Sequence, residues 1–232
     1  MAALYLIPTP LGEHEPLAAI PAGTLARVRE IEHFLVEAPK AARAFLKAAG
    51  HPVPIASLAI HPIPPEDAAI DALLAPLREG RDIGVLSEAG APAIADPGAA
   101  VARRAHAQGY RVVPLPGPSA IMLALMASGL DGQRFAFHGY LPVDEVALGA
   151  RLKKLESESR RDGATQAFIE TPYRNDRMFR GILQHCAPST DVCIATRLTQ
   201  PDESVRTRTV EAWRRDPIEI GRRPTVFLLL AR

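Results

Sequence analysis

The chain has 232 residues, 47% of them hydrophobic and 23% charged, with a formal net charge of +1. That composition excludes a disordered or low-complexity chain and suits one large domain or two smaller ones with real cores. The near-zero charge excludes a global field that would pull the protein onto nucleic acid or anionic lipid. Residues 1–116 carry 10 basic and 12 acidic side chains and residues 117–232 carry 17 and 14, a mild lean towards an anionic partner in the second half.

Ala2–Ile7 reads as a buried strand stopped by Pro8, followed by a long polar loop, Thr9–Ile20, with Pro10, Gly12 and Pro16. Pro21–Glu30 is a helix with proline near its start, His33–Glu37 a second strand, and Ala41–Ala49 a helix closed by Gly50. Val53–Ile60 is expected as a third strand or extended segment, and Glu66–Glu79 as one helix ending at Gly80. Arg81–Val85 leads into the stretch Leu86–Gly98, and a helix over Ala99–Gln108 closes at Gly109 before a fifth strand at Arg111–Val113. Pro114–Ser119, with three prolines and a glycine, is the best domain boundary, so the expected domains are 1–114 and 115–232.

The second half opens with a helix over Ile121–Ser128, stopped by Gly129. Strands are expected at Arg134–His138, Ala164–Glu170, Asp191–Leu198, Ser204–Val210 and Thr225–Ala231, with helices at Glu145–Arg161 and Tyr173–His185. Adjacent strands joined by short turns point to a mixed sheet with helices packed on it. The fold class is therefore α/β, in two α/β domains: a mostly parallel sheet first, a mixed sheet second.

The stretch Leu86–Gly98 organises the first half. It is the loop after a parallel strand, where open α/β sheets bind their ligands. Eleven irregular residues exceed the roughly 2–6 that a plain strand-to-helix connection needs. Its glycines and alanines let a ligand approach the backbone, while Pro92 and Pro97 hold its shape. Two further clusters follow strands: Pro8–Gly12, and Ile169-Glu170-Thr171-Pro172-Tyr173-Arg174. In the last, Glu170 and Arg174 either bind a ligand or pair with each other to fix the loop.

Several chemistries are absent. No dinucleotide Gly-x-Gly-x-x-Gly follows the first strand, no P-loop occurs, and Ser87 has no nucleophile elbow around it. The seven histidines show no zinc spacing, and no metal is expected. Cys186 and Cys193 form neither a metal nor a redox motif and suit a reducing compartment. Ala2–Ile7 is too short for a signal core, and the longest apolar run, near Ile121–Met126, falls far short of a membrane span. A cytoplasmic protein without a membrane partner is the expectation.

Together these motifs resemble the tetrapyrrole methylase superfamily of S-adenosylmethionine (SAM) methyltransferases. They look most like its branch of small-subunit ribosomal RNA (cytidine-2′-O)-methyltransferases, nearly end to end. Pro8–Gly12 matches that branch's Pro-Thr-Pro-x-Gly, and Leu86–Gly98 matches its Leu-Ser-Asp-Ala-Gly-Thr-Pro-x-Ile-Ser-Asp-Pro-Gly with changes at Glu88, Ala91 and Ala95. Pro114–Ala120 is identical to its Pro-Leu-Pro-Gly-Pro-Ser-Ala. Ile169–Arg174 stands for Tyr-Glu-Ser-Pro-His-Arg, and Arg197-Leu198-Thr199-Gln200 for Arg-Glu-Leu-Thr-Lys with the glutamate lost.

The resemblance implies a SAM cleft between two domains and a homodimer. Carried over, Pro8, Gly90, Ala91, Pro92, Ile94 and Ala95 line the cofactor pocket, with Ser119, Ala120, Thr171 and Thr225 contributing. If a ribose hydroxyl is methylated, Glu37, Glu88 or Glu170 is the candidate proton acceptor. Lys40, Arg174, Arg222 and Arg223 are candidate phosphate contacts, with a solvated charge the equal alternative for each arginine. Three polar motifs depart from the branch: Gly12-Glu13-His14-Glu15-Pro16, Val36-Glu37-Ala38-Pro39-Lys40 and Arg222-Arg223-Pro224. The implied function is a SAM-dependent methyltransferase like the rRNA ribose enzymes but with an altered acceptor site, acting on ribosomal RNA or the small subunit. Alternatives are a small-molecule, tetrapyrrole-type methyltransferase and a SAM-binding protein that has lost transfer.

Overall fold

The computed structural model describes residues 2–14 and 17–232; Glu15 and Pro16 of the first loop's altered motif lie outside the described residues. The chain divides into two units, Met1–Ser119 and Ala120–Arg232.

The first unit runs β1 (Ala3–Ile7), α1 (Ala22–Val28), β2 (His33–Val36), α2 (Pro39–Ala48), β3 (Ala59–Pro62), α3 (Asp67–Leu73), α4 (Ala75–Arg78), β4 (Ile83–Leu86), α5 (Gly98–Ala107) and β5 (Arg111–Pro114). The strands form one sheet in the order β3-β2-β4-β1-β5, every pair parallel. Alternation along the strands sends side chains to two cores. Ile7, Phe34, Val36 and Leu86 pack with Val28 of α1 and Phe45 and Leu46 of α2. Leu4, Leu35, Ile83 and Val85 pack with Ile70 of α3 and Val101 and Ala105 of α5. Helices thus cover both faces, which is why all four residues of β4 are buried. Gly84 lies where β4 is most crowded: a Cβ there would stand 2.7 Å from Ile7 Cδ1 and 2.8 Å from Phe34 Cδ1.

Two expected elements differ. The segment expected as a strand over Val53–Ile60 begins instead with a 3₁₀ turn at Ile55–Ser57, and only Ala59–Pro62 pairs, with His33–Val36. Pro54 precedes that turn, and Pro62 is accepted because β3 is the edge strand. The single helix expected over Glu66–Glu79 is broken into α3 and α4 at Leu74, because Pro76 has no N–H to continue the ladder. The division between units falls after Ser119. Leu115 N–H bonds Leu6 O at 2.9 Å, Thr24 Oγ1 donates to Pro116 O at 2.7 Å, and Gly117 lies against Pro8, so the proline-rich stretch is tied to the first unit.

The second unit runs α6 (Ala120–Ser128), β6 (Phe135–Tyr140), α7 (Glu145–Asp162), β7 (Thr165–Ile169), α8 (Asn175–His185), β8 (Asp191–Thr196), β9 (Ser204–Thr209), α9 (Val210–Arg215) and β10 (Thr225–Leu230). Its sheet order is β6-β7-β10-β8-β9; β6 and β7 are parallel and the other pairs antiparallel. Asp144 caps α7 by accepting from Ala147 N–H, and Gly163 ends it at φ 62°. Leu152, Phe179, Ile182 and Trp213 from α7, α8 and α9 pack on Phe168, Ile194 and Phe227 of the sheet. Helix α9 was not expected; its one local signal is Thr209, whose hydroxyl accepts from Ala212 N–H as an N-cap.

Candidate functional site

The carboxyl ends of β1 and β4 are neighbours, and the connections leaving them run to opposite faces of the sheet. That is a topological switch point, where an α/β sheet opens a crevice. Thr9 and Gly90 close its floor: Thr9 N–H bonds Gly90 O at 2.9 Å and Gly90 N–H bonds Thr9 O at 3.1 Å. Below them Ser87 Oγ donates to Gly90 O at 2.7 Å, and Thr9 Oγ1 lies 3.3 Å from Ser87 O. Gly90 needs its φ of 80°, and a Cβ there would approach Leu11 Cδ2 to 3.0 Å. At Gly117 a Cβ would stand 2.5 Å from Pro8 Cβ, so the Gly117 backbone lies directly against the proline ring.

Beyond Gly90 the loop is wound tightly. Ala93 and Ala95 hold φ of 69° and 65°, a conformation costing an L-residue about 1–2 kcal/mol. It persists because one oxygen of Asp96 accepts from Ala93 N–H at 2.9 Å and from Gly98 N–H at 2.6 Å. The second oxygen, Oδ2, is buried with no partner among the described residues. Burial raises the Asp96 carboxyl above its ordinary value, against the backbone N–H groups, which lower it. The loop presents Ile94 to solvent at 45% exposure. Small residues, a strained backbone and an exposed aliphatic side chain at a switch point together suit a ligand bound by backbone groups and flat apolar contact.

Of the candidate residues, Pro8, Gly90, Ala91, Pro92, Ile94, Ala95 and Ser119 all lie in the first unit, on β1's end, this loop and the proline-rich stretch. Glu37 and Glu88 are brought together at the loop's edge: Glu37 Oε2 accepts Glu88 N–H at 2.8 Å, and both residues are exposed. Lys40 sits exposed in the first turn of α2.

The remaining candidates belong to the second unit. Glu170 is 4% and Arg174 21% exposed at the side chain. Glu170 Oε1 accepts from Arg174 Nε at 3.0 Å and Nη2 at 2.7 Å, and from Thr171 N–H at 2.6 Å. The two residues therefore pair with each other, through Oε1 of Glu170 and Nε and Nη2 of Arg174. Thr171 is drawn into the same cluster, while Ala120 opens α6. Thr225 begins β10, its hydroxyl donating to Arg223 O at 2.8 Å, and Arg222 and Arg223 are exposed. Among the described residues no three His, Cys, Asp or Glu gather as a metal site, and no helix is long and apolar enough to cross a membrane.

Sequence reasoning assigned Thr9 and Asp96 no individual role within their clusters, raised Ser87 only to reject it as a nucleophile, and offered nothing for Asn175. Asp96 had a local signal, a carboxylate just ahead of a helix. Asn175 had none: it is fully buried, and its Nδ2 reaches Gly221 O and Arg223 O at 3.1 and 2.7 Å.

Residues 3–213 match the family described as tetrapyrrole (corrin/porphyrin) methylases. A protein named ribosomal RNA small subunit methyltransferase I from Escherichia coli O157:H7 is 34% identical over 202 residues, covering 87% of this chain and 67% of its own. Its namesake in Mesorhizobium japonicum is 34% identical over 210 residues, covering 90% and 68%. Among solved structures the methyltransferase CobJ aligns over 100% of this chain and 95% of its own, with a TM-score of 0.65 at 21% identity. Uroporphyrin-III-C-methyltransferase from Thermus thermophilus aligns over 99% and 92%, with a TM-score of 0.56 at 20% identity.

Proposed function

The chain belongs to the tetrapyrrole methylase family and is a SAM-dependent methyltransferase, and from that premise we propose that its acceptor is a ribose 2′-hydroxyl of small-subunit ribosomal RNA. The observation that carries the reading is the crevice built on the Thr9–Gly90 bridge, in a chain whose relatives named above are small-subunit rRNA methyltransferases.

The residues present fit the cofactor. Gly90 and Gly117 let the loops pack closely against Leu11 and Pro8, Ala91, Ala93 and Ala95 keep the loop's surface low, and Ile94 offers an aliphatic contact. Pro8, Gly90, Ala91, Pro92, Ile94, Ala95 and Ser119 are the residues of the first unit that would hold it. When bound, SAM supplies an already activated methyl group on its sulfonium. The protein's share is then to orient the acceptor hydroxyl, exclude water and take up a proton. Glu37 and Glu88 are the carboxylates free for that proton. The proposed phosphate contacts are Lys40, Arg222 and Arg223, with Arg174, which Glu170 holds through Nε and Nη2, as a fourth. The reading includes a cytoplasmic homodimer.

Calorimetric titration with SAM and S-adenosylhomocysteine, followed by radiolabelled methyl transfer to 30S subunits, tests it. Saturable binding and incorporation into subunit RNA at a ribose are the expected results. SAM binding with incorporation only into a tetrapyrrole, or into neither acceptor, overturns the RNA assignment.

A further inference from the structure

We infer that a cavity of about 440 Å³ on the second unit, between the β8–β9 ladder and the segment 216–223, holds one unpaired ribonucleotide of the acceptor RNA. The inference rests on the RNA reading above. The ladder pairs Ile194 with Arg206 and Thr196 with Ser204, which puts these four side chains on one face. Ile218, Glu219, Ile220 and Arg223 line the opposite wall. That wall is fixed from α8: Asp176 Oδ1 accepts Ile220 N–H at 2.7 Å, and Asn175 Nδ2 holds the carbonyls of Gly221 and Arg223.

The polar groups decide the ligand. Two carboxylates of the rim are engaged by the neighbouring loop: Asp202 with the Arg197 guanidinium, and Glu203 Oε2 with Thr199 N–H at 2.6 Å. Arg206 and Arg223, both exposed, make no side-chain hydrogen bond or ion pair among the described residues, although Arg223 lies near enough to Asp202 to help lower its pKa. Glu219, also exposed, likewise has no hydrogen-bond or ion-pair partner among the described residues. A purely anionic ligand would face Glu203 and Glu219, and a purely apolar one would face two guanidiniums. A nucleotide satisfies every wall. Its phosphate takes Arg206 and Arg223, its flat base lies over the half-buried Ile218 with the core residues Ile194 and Ile220 closing the floor beneath, and an exocyclic amino group donates to Glu219. The volume lies within the roughly 300–1,000 Å³ of small-ligand sites.

The test measures the affinity of the full chain for labelled single-stranded oligoribonucleotides across a salt series. The 5′-mononucleotides CMP, UMP, AMP and GMP and 30S subunits are run in parallel. Removing two phosphate contacts in R206Q/R223Q should weaken oligonucleotide binding at least about tenfold and flatten the log–log salt slope by about 1.4. The KM for 30S subunits should rise in step, with SAM affinity unchanged. Glu219→Gln should change the ranking of amino-bearing bases against uracil about threefold or more, with an unchanged salt slope. All the substituted residues are exposed, and a thermal melt confirms folding. Wild-type protein that methylates 30S while both variants stay within twofold overturns the pocket alone. Wild-type protein that binds SAM and no RNA overturns the RNA reading itself. Mononucleotides binding as tightly as oligonucleotides, with variants losing only the former, assign the cavity to a free nucleotide and overturn the inference.

Discussion

The backbones of Thr9 and Gly90, 81 positions apart, exchange a complete pair of hydrogen bonds at 2.9 and 3.1 Å. One residue follows β1 and the other follows β4, so the bridge locks together the two loops that leave the sheet on either side of its switch point. The Ser87 hydroxyl, buried and bonded to Gly90 O, holds the same carbonyl from below. The shape of the crevice therefore rests on this bridge and on the two glycines, Gly90 and Gly117, that let its walls pack closely.

Gly90→Ala and Gly117→Ala test that dependence at two levels of crowding. At Gly90 the new methyl meets the end of the flexible Leu11 side chain at 3.0 Å but must also adopt φ 80°. About 1–2 kcal/mol of backbone strain follows, which lowers the apparent Tm by a few degrees for a chain of this size. At Gly117 the methyl meets the rigid Pro8 ring at 2.5 Å, so β1's end must move. SAM affinity, measured calorimetrically, should fall about tenfold or more in both, with the larger loss of Tm in Gly117→Ala. An unchanged SAM affinity in both would remove this crevice from the cofactor site.

Much of this was legible because prolines, glycines and apolar runs act locally. Leu86–Gly98 announced a strand, a long loop and a helix in that order, and Asp144 and Gly163 bracket α7 as local capping rules require. The Pro76 break was also local, but the leucines on either side of it kept a helical spacing that masked it. What the sequence could not show was pairing at a distance. That Glu170 and Arg174 pair, with Glu170 buried, is likewise seen only in the fold. The role of Asn175 exists only because Gly221 and Arg223, 46 and 48 positions away, fold back onto it.

Asp96 should leave a signature in the pH dependence of stability. Burial raises its carboxyl above the ordinary 3.8, so the folded chain holds that proton to a higher pH than the unfolded chain does. Its contribution is fully present below the unfolded value and is lost as pH rises through the folded one. Asp96→Asn keeps an oxygen for Ala93 and Gly98 but cannot titrate. The difference in apparent Tm between wild type and variant, followed from about pH 3 to about pH 7, should move against the wild type as pH rises. A difference that is flat over that range contradicts a buried, partnerless Oδ2.

Both cysteines should be silent in the folded protein. Burial, with the nearby Glu156 charge adding to it, pushes the Cys186 thiol up to about 12, and burial also raises Cys193. Since the thiolate is the nucleophile, neither should react with a disulfide reagent at about pH 8 while the chain is native. Unfolding in guanidinium should release two titratable thiols. Fast native reaction of either would show that its segment opens locally.

The carboxylates can be sorted by whether substitution strikes turnover or folding. Glu170→Gln removes the charge that holds the Arg174 guanidinium, leaving a neutral amide oxygen for the four donors that Oε1 now accepts from. It should cost about 1–3 kcal/mol of stability, visible as a lower denaturation midpoint in urea, with methyl transfer per folded molecule reduced by less than about threefold. Glu37→Gln and Glu88→Gln fall on exposed side chains, where the loss of charge should move the Tm by little. If either carboxylate takes the proton from the ribose hydroxyl, its variant should lose about 10²–10⁴ in kcat, the range of a general base. SAM affinity should be preserved. The Glu37 variant keeps an amide oxygen for Glu88 N–H, so the loop edge stays in place and the loss reports chemistry rather than collapse. Full activity in both, with a deep loss in Glu170→Gln that survives correction for folding, would transfer the proton-accepting role to the second unit.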